Sequence, residues 1–490
     1  MKAIIYLAIL YGGVSTHLAC QDQNNSKDHH PNIILLMADD MGWGDVGFNG
    51  NKEIKTPGLD RLASNGVVLD RFYSASPVCS PTRGSCITGR NPFRYGIYSA
   101  NQGFMKKEEI TIAEVLREFG YTTGHFGKWH LGALSDSLPD GRRGGKGTMV
   151  FSPPWDNGFD VCFSTEQAVP TWNPTKHDEN ALLSFPMPTR YWKGYNKYAT
   201  DNLEGDDSRV MMDWVVPFIN KAVDNKQPFL AVVWFHTPHS PVVAGEHYRK
   251  MYSQYDENKQ HYYGCITAMD EQIDRLQNEL KRLGIEKNTL IFFTSDNGPA
   301  GEGGGVRQHP GGRQQGITGG FRGRKGSLYE GGVRVPAIFS WPQKLEKGNR
   351  LSYPAVTSDY FPTILAILGI DLPKRPYDGI NIFPALLGEI DVREEYIGFQ
   401  TPTHVSLVSQ QHKLLVKDTN TKEYDHIKEG ELIPEKPFEL YNLINDKYET
   451  EDISEHNPSI VESMNNVLID WINSCKRSDK GKDYVNITKD

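Results

Sequence analysis

Five short stretches of this chain carry side chains whose types and spacing suit the handling of an anion. Cys79-Ser80-Pro81-Thr82-Arg83 is the most specific. Ser80 reads as an N-cap, Pro81 as the first helical position and Gly89 as the stop of a short helix. Cys79 then sits just ahead of that helix, where unpaired backbone N–H groups face an anion. Arg83, four residues on, reaches back to the same place with a fixed charge and a fork of donors. Spacing alone makes Cys79 an ordinary buried thiol first and a thiolate nucleophile second.

The other four each follow a candidate strand, and a longer basic stretch lies beyond them. Asn32 to Met37 reads as a strand buried on both faces, and it runs into Asp39-Asp40. Paired carboxylates at the carboxyl end of a central strand suit a hard cation, with a solvated turn as the plainer alternative. Thr289 to Thr294 is a second such strand, and Asp296-Asn297 after it would complete the same oxygen-rich site. A strand from Tyr121 leads into Gly127-Lys128-Trp129-His130-Leu131-Gly132, where alternation puts Lys128 and His130 on one face. An ammonium beside an imidazole suits an anionic substrate and proton transfer, although a surface lysine and a structural histidine explain them too. Phe229 to Phe235 ends in His236-Thr237-Pro238-His239, a candidate acid/base pair. Residues 301–326 are rich in glycine and carry Arg307, Arg313, Arg322, Arg324 and Lys325, which reads as a basic lid over an anionic substrate or as a solvated loop.

Placing these side chains requires strands that alternate with helices. Candidate helices span Val210 to Val223, Gln260 to Leu283 and Ser358 to Leu368, and Thr111 to Glu114 forms a capping box. The expected fold is α/β: a large central mixed sheet between helices, followed by a smaller C-terminal α+β domain with an antiparallel sheet. The expected units are a signal peptide at 1–20, a polar linker at 21–30, a catalytic domain at 31–390 and a C-terminal unit at 391–490. Trp155, Trp172, Tyr191, Trp192 and Tyr195 lie in a loop-rich tract, where core packing is the default and stacking on sugar rings the alternative.

The formal net charge of −8 gives no basis for nucleic-acid binding. Met1-Lys2, the apolar Ala3 to Leu10 and small residues up to Ala19-Cys20 read as an export signal, too short to span a bilayer. Cys20 before a polar tract points to a bacterial lipoprotein with the lipid on Cys20, and plain cleavage and secretion is the alternative. The expected location is the periplasm or outer membrane, or the medium. The remaining cysteines show no zinc spacing and read as isolated thiols.

Cys79-x-Pro81-x-Arg83, with Thr88-Gly89-Arg90 behind it, resembles the maturation signature of the type I, formylglycine-dependent sulfatases. The strand-end Asp39-Asp40, the Gly127 to Gly132 string, the Asp296-Asn297-Gly298 strand end and Gly326 to Pro336 are similar to that family's segments in the same order. The resemblance implies that Cys79 is oxidised to formylglycine by a separate enzyme. It implies one calcium ion held by Asp39, Asp40, residue 79, Asp296 and Asn297. It places Arg83, Lys128, His130, His239 and Lys325 on the sulfate or in proton transfer, with Asp296 as a base, and leaves His236, Arg322 and Arg324 as substrate contacts. The implied reaction is hydrolysis of a sulfate ester, here of a sulfated oligosaccharide or polysaccharide. The alternatives are a phosphonate monoester or phosphodiester hydrolase of the same superfamily, and a glycan-binding protein in which Cys79 stays a thiol.

Overall fold

The computed structural model describes residues 30–174, 189–301, 313–417 and 437–484, with the backbone of a short hairpin at 427–428 and 431–432. Cys20 and Arg307 lie outside the described residues. A ten-stranded mixed sheet forms the centre. In chain order its strands are β1 (Asn32–Ala38), β2 (Val67–Leu69), β4 (Thr122–Lys128), β5 (Val161–Thr165), β6 (Trp192–Gly194), β7 (Lys197–Tyr198), β8 (Phe229–Trp234), β9 (Thr289–Ser295), β10 (Ile338–Ser340) and β11 (Asn349–Leu351). β3 (Phe72–Tyr73) pairs separately with β12 (Ala355–Val356). The spatial order is β11-β2-β10-β9-β1-β8-β4-β5-β6-β7.

Both faces of the sheet are covered, which is why its central strands read as unbroken apolar runs. Ile33, Leu35 and Met37 of β1 pack with α2 (Cys79–Thr88), α3 (Ile112–Glu118) and the helix Tyr360–Leu368. Ile34 and Leu36 point the other way, into α1 (Pro57–Ser64), α4 (Asp207–Asp224) and α6 (Glu257–Arg282), while α5 (Glu246–Lys250) lies alongside α6. Cutting one of these buried side chains back to Ala costs about 2–5 kcal/mol.

The strands β9, β1, β8 and β4 lie side by side and parallel. Ala38 pairs with Ser295, Met37 with Trp234, and Trp234 with Gly127. All four strands therefore end at one level, and the residues that follow them share one edge.

A separate four-stranded antiparallel sheet holds β13 (Ile397–Gln400), β14 (Val405–Val408), β15 (His412–Val416) and the strand Glu439–Asn442. One of its faces packs on Tyr73, Ala75, Leu328 and Val333, and the other on Met464, Leu468 and Ile472 of the last helix, Pro458–Asp479. No described helix is long and apolar enough to cross a membrane.

Local expectations needed two corrections. Helix α2 starts at Cys79, with extended Val78 as its N-cap. Pro81 is tolerated in the first turn because that turn's N–H groups have no helical partner. Ser80 does not cap the helix; its hydroxyl accepts from the Asn101 N–H at 3.4 Å. Gly89 does close the helix, in the left-handed conformation at φ 71°. Secondly, β4 ends at Lys128, so strand alternation does not place His130. His130 reaches the same edge through a left-handed backbone at φ 59°, as Asp40 does at φ 66°.

Candidate active site

The strand ends bring Asp39, Asp40, Asp296, Asn297, Lys128 and His239 together, and α2 supplies Cys79 and Arg83. Ligand atoms of Asp39, Asp40, Cys79 and His239 all lie within 4.8 Å of one another. Lys128 Nζ donates to Asp39 Oδ2 at 2.7 Å. Arg83 donates from Nη2 to Asp296 Oδ2 at 2.5 Å and from Nη1 to the Lys128 carbonyl at 3.1 Å. Its guanidinium also lies 5.4 Å from the Trp234 ring. Asp40 Oδ1 accepts from Lys325 Nζ at 2.5 Å and from Asn297 Nδ2 at 2.7 Å.

Lys325 arrives from far along the chain through two glycine-rich strings that interlock. The Gly298 N–H donates to the Gly332 carbonyl at 2.9 Å. A Cβ on Gly298 would stand 2.0 Å from the Gly331 carbonyl oxygen, so the chains meet only because both strings lack side chains there.

Burial and fixed charge set the protonation of the cluster. Burial pushes the Cys79 thiol up to about 11, against the pull of Lys128 and Lys325. At neutral pH it is therefore a protonated thiol and a weak nucleophile. Burial opposes ionisation of Asp40, but the Lys325 ammonium, with His239 and Lys128 behind it, holds its carboxyl well below the usual range. Burial and the Asp39 charge push Asp296 up to about 6, against Arg83. Burial and the nearby Lys128 depress His130 well below its ordinary value. Burial takes His239 down to about 3, against Asp40.

Hydrogen bonds assign the histidine tautomers. His239 Nδ1 faces the Ser240 carbonyl at 2.6 Å and so carries the proton, leaving Nε2 bare, 3.8 Å from Asp40 Oδ2. His130 Nε2 donates to Asn101 Oδ1 at 2.7 Å, and its buried Nδ1 has no hydrogen-bond partner among the described residues.

The residues fit a hard cation. Among the described residues Asp39 Oδ1 and Asn297 Oδ1 are buried acceptors without a hydrogen-bond donor, the Arg83 guanidinium standing 3.5 Å from the first. Such atoms are costly unless something positive meets them. Carboxylate and amide oxygens are the donors that hard divalent cations take.

Three expected substrate contacts have polar partners outside the cluster. His236 is fully buried, with Nδ1 2.7 Å from Asp207 Oδ2 and Nε2 2.7 Å from Thr165 Oγ1. Arg322 donates to the Tyr441 hydroxyl and the Glu449 carbonyl and stacks on Tyr329. Arg324 donates to the carbonyls of Gly316 and Ala300. These two arginines pin the described part of the basic stretch to its surroundings. Tyr191 and Trp192 are core, while Tyr195 is 55% exposed. Two site residues had no signal of their own in the sequence: Gln314, whose Nε2 donates to Asp40 Oδ2 at 3.0 Å, and Asn101.

Comparison with known proteins agrees with this geometry. The Sulfatase family model matches residues 31–370. N-acetylgalactosamine-6-sulfatase of Canis lupus familiaris is 32% identical over 377 residues, covering 73% of this chain and 66% of that protein. Steryl-sulfatase of Mus musculus is 31% identical over 423 residues, covering 73% and 65%. The chain thus spans just under two thirds of the length of these two curated relatives. The solved structure of Ps i-CgsB in complex with k-i-k-neocarrahexaose superposes with a TM-score of 0.73 at 26% identity, over 92% of this chain and 94% of that one. With the family model covering most of the chain, the matched segments carrying the converging strand ends, and relatives above 30% identity, the chain belongs to the sulfatase family, the type I sulfatases of the alkaline phosphatase superfamily.

Proposed function

We propose that this chain is an exported sulfuric ester hydrolase that removes sulfate from a sulfated saccharide. Its working units are a catalytic domain at 31–390 and a C-terminal unit at 391–490. A separate maturation enzyme converts Cys79 to formylglycine, and Asp39, Asp40, Asp296 and Asn297 hold one calcium ion beside it. The hydrated aldehyde would supply one hydroxyl to take the sulfuryl group from the sugar oxygen and a second to let sulfate leave by elimination with return of the aldehyde, and the ion would supply positive charge for the sulfate oxygens.

One observation carries this proposal. The buried cations Arg83 and Lys128 and the half-buried Lys325 face the buried carboxylates Asp39, Asp40 and Asp296 around a thiol held protonated. The charges of these six groups cancel. A divalent cation added to the two orphaned oxygens makes the edge positive, as an anionic ester requires.

Each side chain then has a task at a stated atom. Arg83 fixes the Asp39 and Asp296 carboxylates and, with Lys128, flanks the sulfate. Asp296 accepts a proton from the attacking hydroxyl of residue 79. Lys325, ion-paired with Asp40, delivers a proton to the leaving sugar oxygen, and His239 does so once the incoming sulfate anion draws a proton onto Nε2, which is bare in the free site. His130, anchored through Nε2, offers its bare Nδ1 to the second hydroxyl of residue 79.

The test is sulfate release by the matured protein from a panel of sulfated mono- and oligosaccharides, run beside phosphonate monoesters and phosphodiesters. Release of sulfate from a saccharide is expected. Preferential cleavage of the phosphorus esters would overturn the assignment.

A further inference from the structure

A surface that the reaction does not use starts at the reacting edge, where Glu166 holds Arg142 and Arg143, and runs away from it along a hairpin antiparallel to β5. It is built by the loop from Asp136 to Val150 and by the hairpin of β6 and β7. Tyr195 at the hairpin tip is 55% exposed, Tyr198 38%, Leu138 37% and Met149 88%. Exposed rings grouped this way mark a binding surface more often than a fold requirement.

Internal contacts hold the two parts together. The Tyr195 hydroxyl donates to Asp136 Oδ2 at 3.3 Å, and its ring meets Phe151 edge-on. Ser137 Oγ donates to Asn196 Oδ1 at 3.1 Å, and Arg190 stacks on Tyr198. Tyr195 is thus presented to solvent on a braced support.

The loop is also tied to the reacting edge. Arg143 donates to Glu166 Oε1 at 2.6 Å and to the Gly103 carbonyl at 3.1 Å. Gly103 lies two residues from Asn101, the residue that holds His130. The Arg142 N–H donates to Glu166 Oε2 at 2.9 Å, one residue beyond the end of β5. Arg142 itself is exposed, and among the described residues its guanidinium has no hydrogen-bond or ion-pair partner. Lys146 and Lys197 add exposed charge on a chain whose net charge is −8.

We propose that this rim is a glycan subsite: Arg142, at the end nearer the reacting edge, receives a second anionic group, a sulfate or carboxylate, and Tyr195 stacks on a sugar ring further along the same saccharide chain. A tyrosine offers a rigid apolar face to the C–H side of a sugar at small conformational cost. A guanidinium matches the oxygens of sulfate or carboxylate in a two-pronged contact. The preferred substrate is then an oligosaccharide with more than one anionic group, not an isolated monosulfated sugar. This rests on the saccharide sulfatase assignment above.

The test has a binding arm and a rate arm. Affinity electrophoresis of the full chain through gels containing chondroitin 6-sulfate or carrageenan, with dextran as the neutral control, needs no conversion of Cys79. Arg142→Ala with Tyr195→Ala is expected to weaken retention by the sulfated polymers at least tenfold. The matured enzyme then gives the ratio of kcat/KM for a sulfated tetrasaccharide to that for a monosulfated monosaccharide, and the double variant is expected to lower that ratio about tenfold. Lys287→Ala with Lys347→Ala, at the opposite end of the sheet, controls for charge alone. Retention and ratio within twofold of the wild type, or an equal drop in the control pair, would overturn the subsite. Loss of retention in a protein that releases no sulfate from any ester would support the subsite and remove the sulfatase assignment instead.

Discussion

Arg83 Nη2 stands 2.5 Å from Asp296 Oδ2 and 3.5 Å from Asp39 Oδ1, so one guanidinium joins the ends of β9 and β1 to the first turns of α2. All three side chains are fully buried. Removing a buried partner leaves its counter-charges uncompensated, a loss of about 3–5 kcal/mol. Arg83→Ala is expected to destabilise the fold by that amount in chemical denaturation and to abolish turnover. A change below about 1 kcal/mol, the size of an exposed ion pair, would show that the guanidinium does not hold these carboxylates.

Metal binding should register in stability as well as in rate. Among the described residues Asn297 Oδ1 meets no hydrogen-bond donor, and Asp39 Oδ1 meets no cation nearer than the Arg83 guanidinium at 3.5 Å. An ion at a hundred times its Kd stabilises by about 2.7 kcal/mol. Chelation is therefore expected to lower Tm and added calcium to restore it, and Asn297→Ala should need more calcium for the same Tm. Identical melting curves with chelator and with calcium would contradict the site.

Protonation by His239 predicts a dependence on the leaving group. A good leaving group needs little help from an acid, whereas a sugar alkoxide needs much. His239→Ala is expected to cut the rate on a sulfated sugar by about 10²–10⁴ and to affect a nitrophenyl sulfate far less. Equal losses on both substrates would move His239 from proton transfer to ground-state binding.

Asp206, at the start of α4, gives a pH prediction away from the site. Burial, with the Asp207 charge adding to it, raises its carboxyl to about 8 against the Arg209 N–H bond. The folded state therefore binds a proton between the unfolded value near 4 and about 8 that the unfolded state has released. Stability from this group is complete below pH 4 and is lost as pH rises through 8. Asp206→Asn keeps the N-cap acceptor and removes the titration. Its Tm relative to the wild type is expected to rise from pH 5 to pH 8.5, and a flat difference would contradict the burial argument.

The strand ends were legible because their signals are local. An apolar run stopped by Asp39-Asp40 or Asp296-Asn297 announces both the strand and the polar edge after it. The histidines after β8 were not separable by that logic. Which of them meets Asp40 is decided by Asp207, 29 residues upstream, whose carboxylate claims His236. Arg322 and Arg324 read as lid charges because their partners are remote: Tyr441 and Glu449 of the C-terminal unit lie 119 and 127 residues beyond Arg322. Gln314 escaped notice for the same reason, meeting Asp40 across 274 residues. His130 was placed on the right edge by an argument that its left-handed backbone supersedes.

The most direct test of the central claim is the mass of the peptide containing residue 79, from protein made in its own host, measured on the preparation used for sulfate release. The account predicts an aldehyde at residue 79 and release of sulfate in proportion to its occupancy, with Cys79→Ala inactive. An unmodified thiol at full activity would contradict it and return Cys79 to direct nucleophilic chemistry or to no chemistry at all.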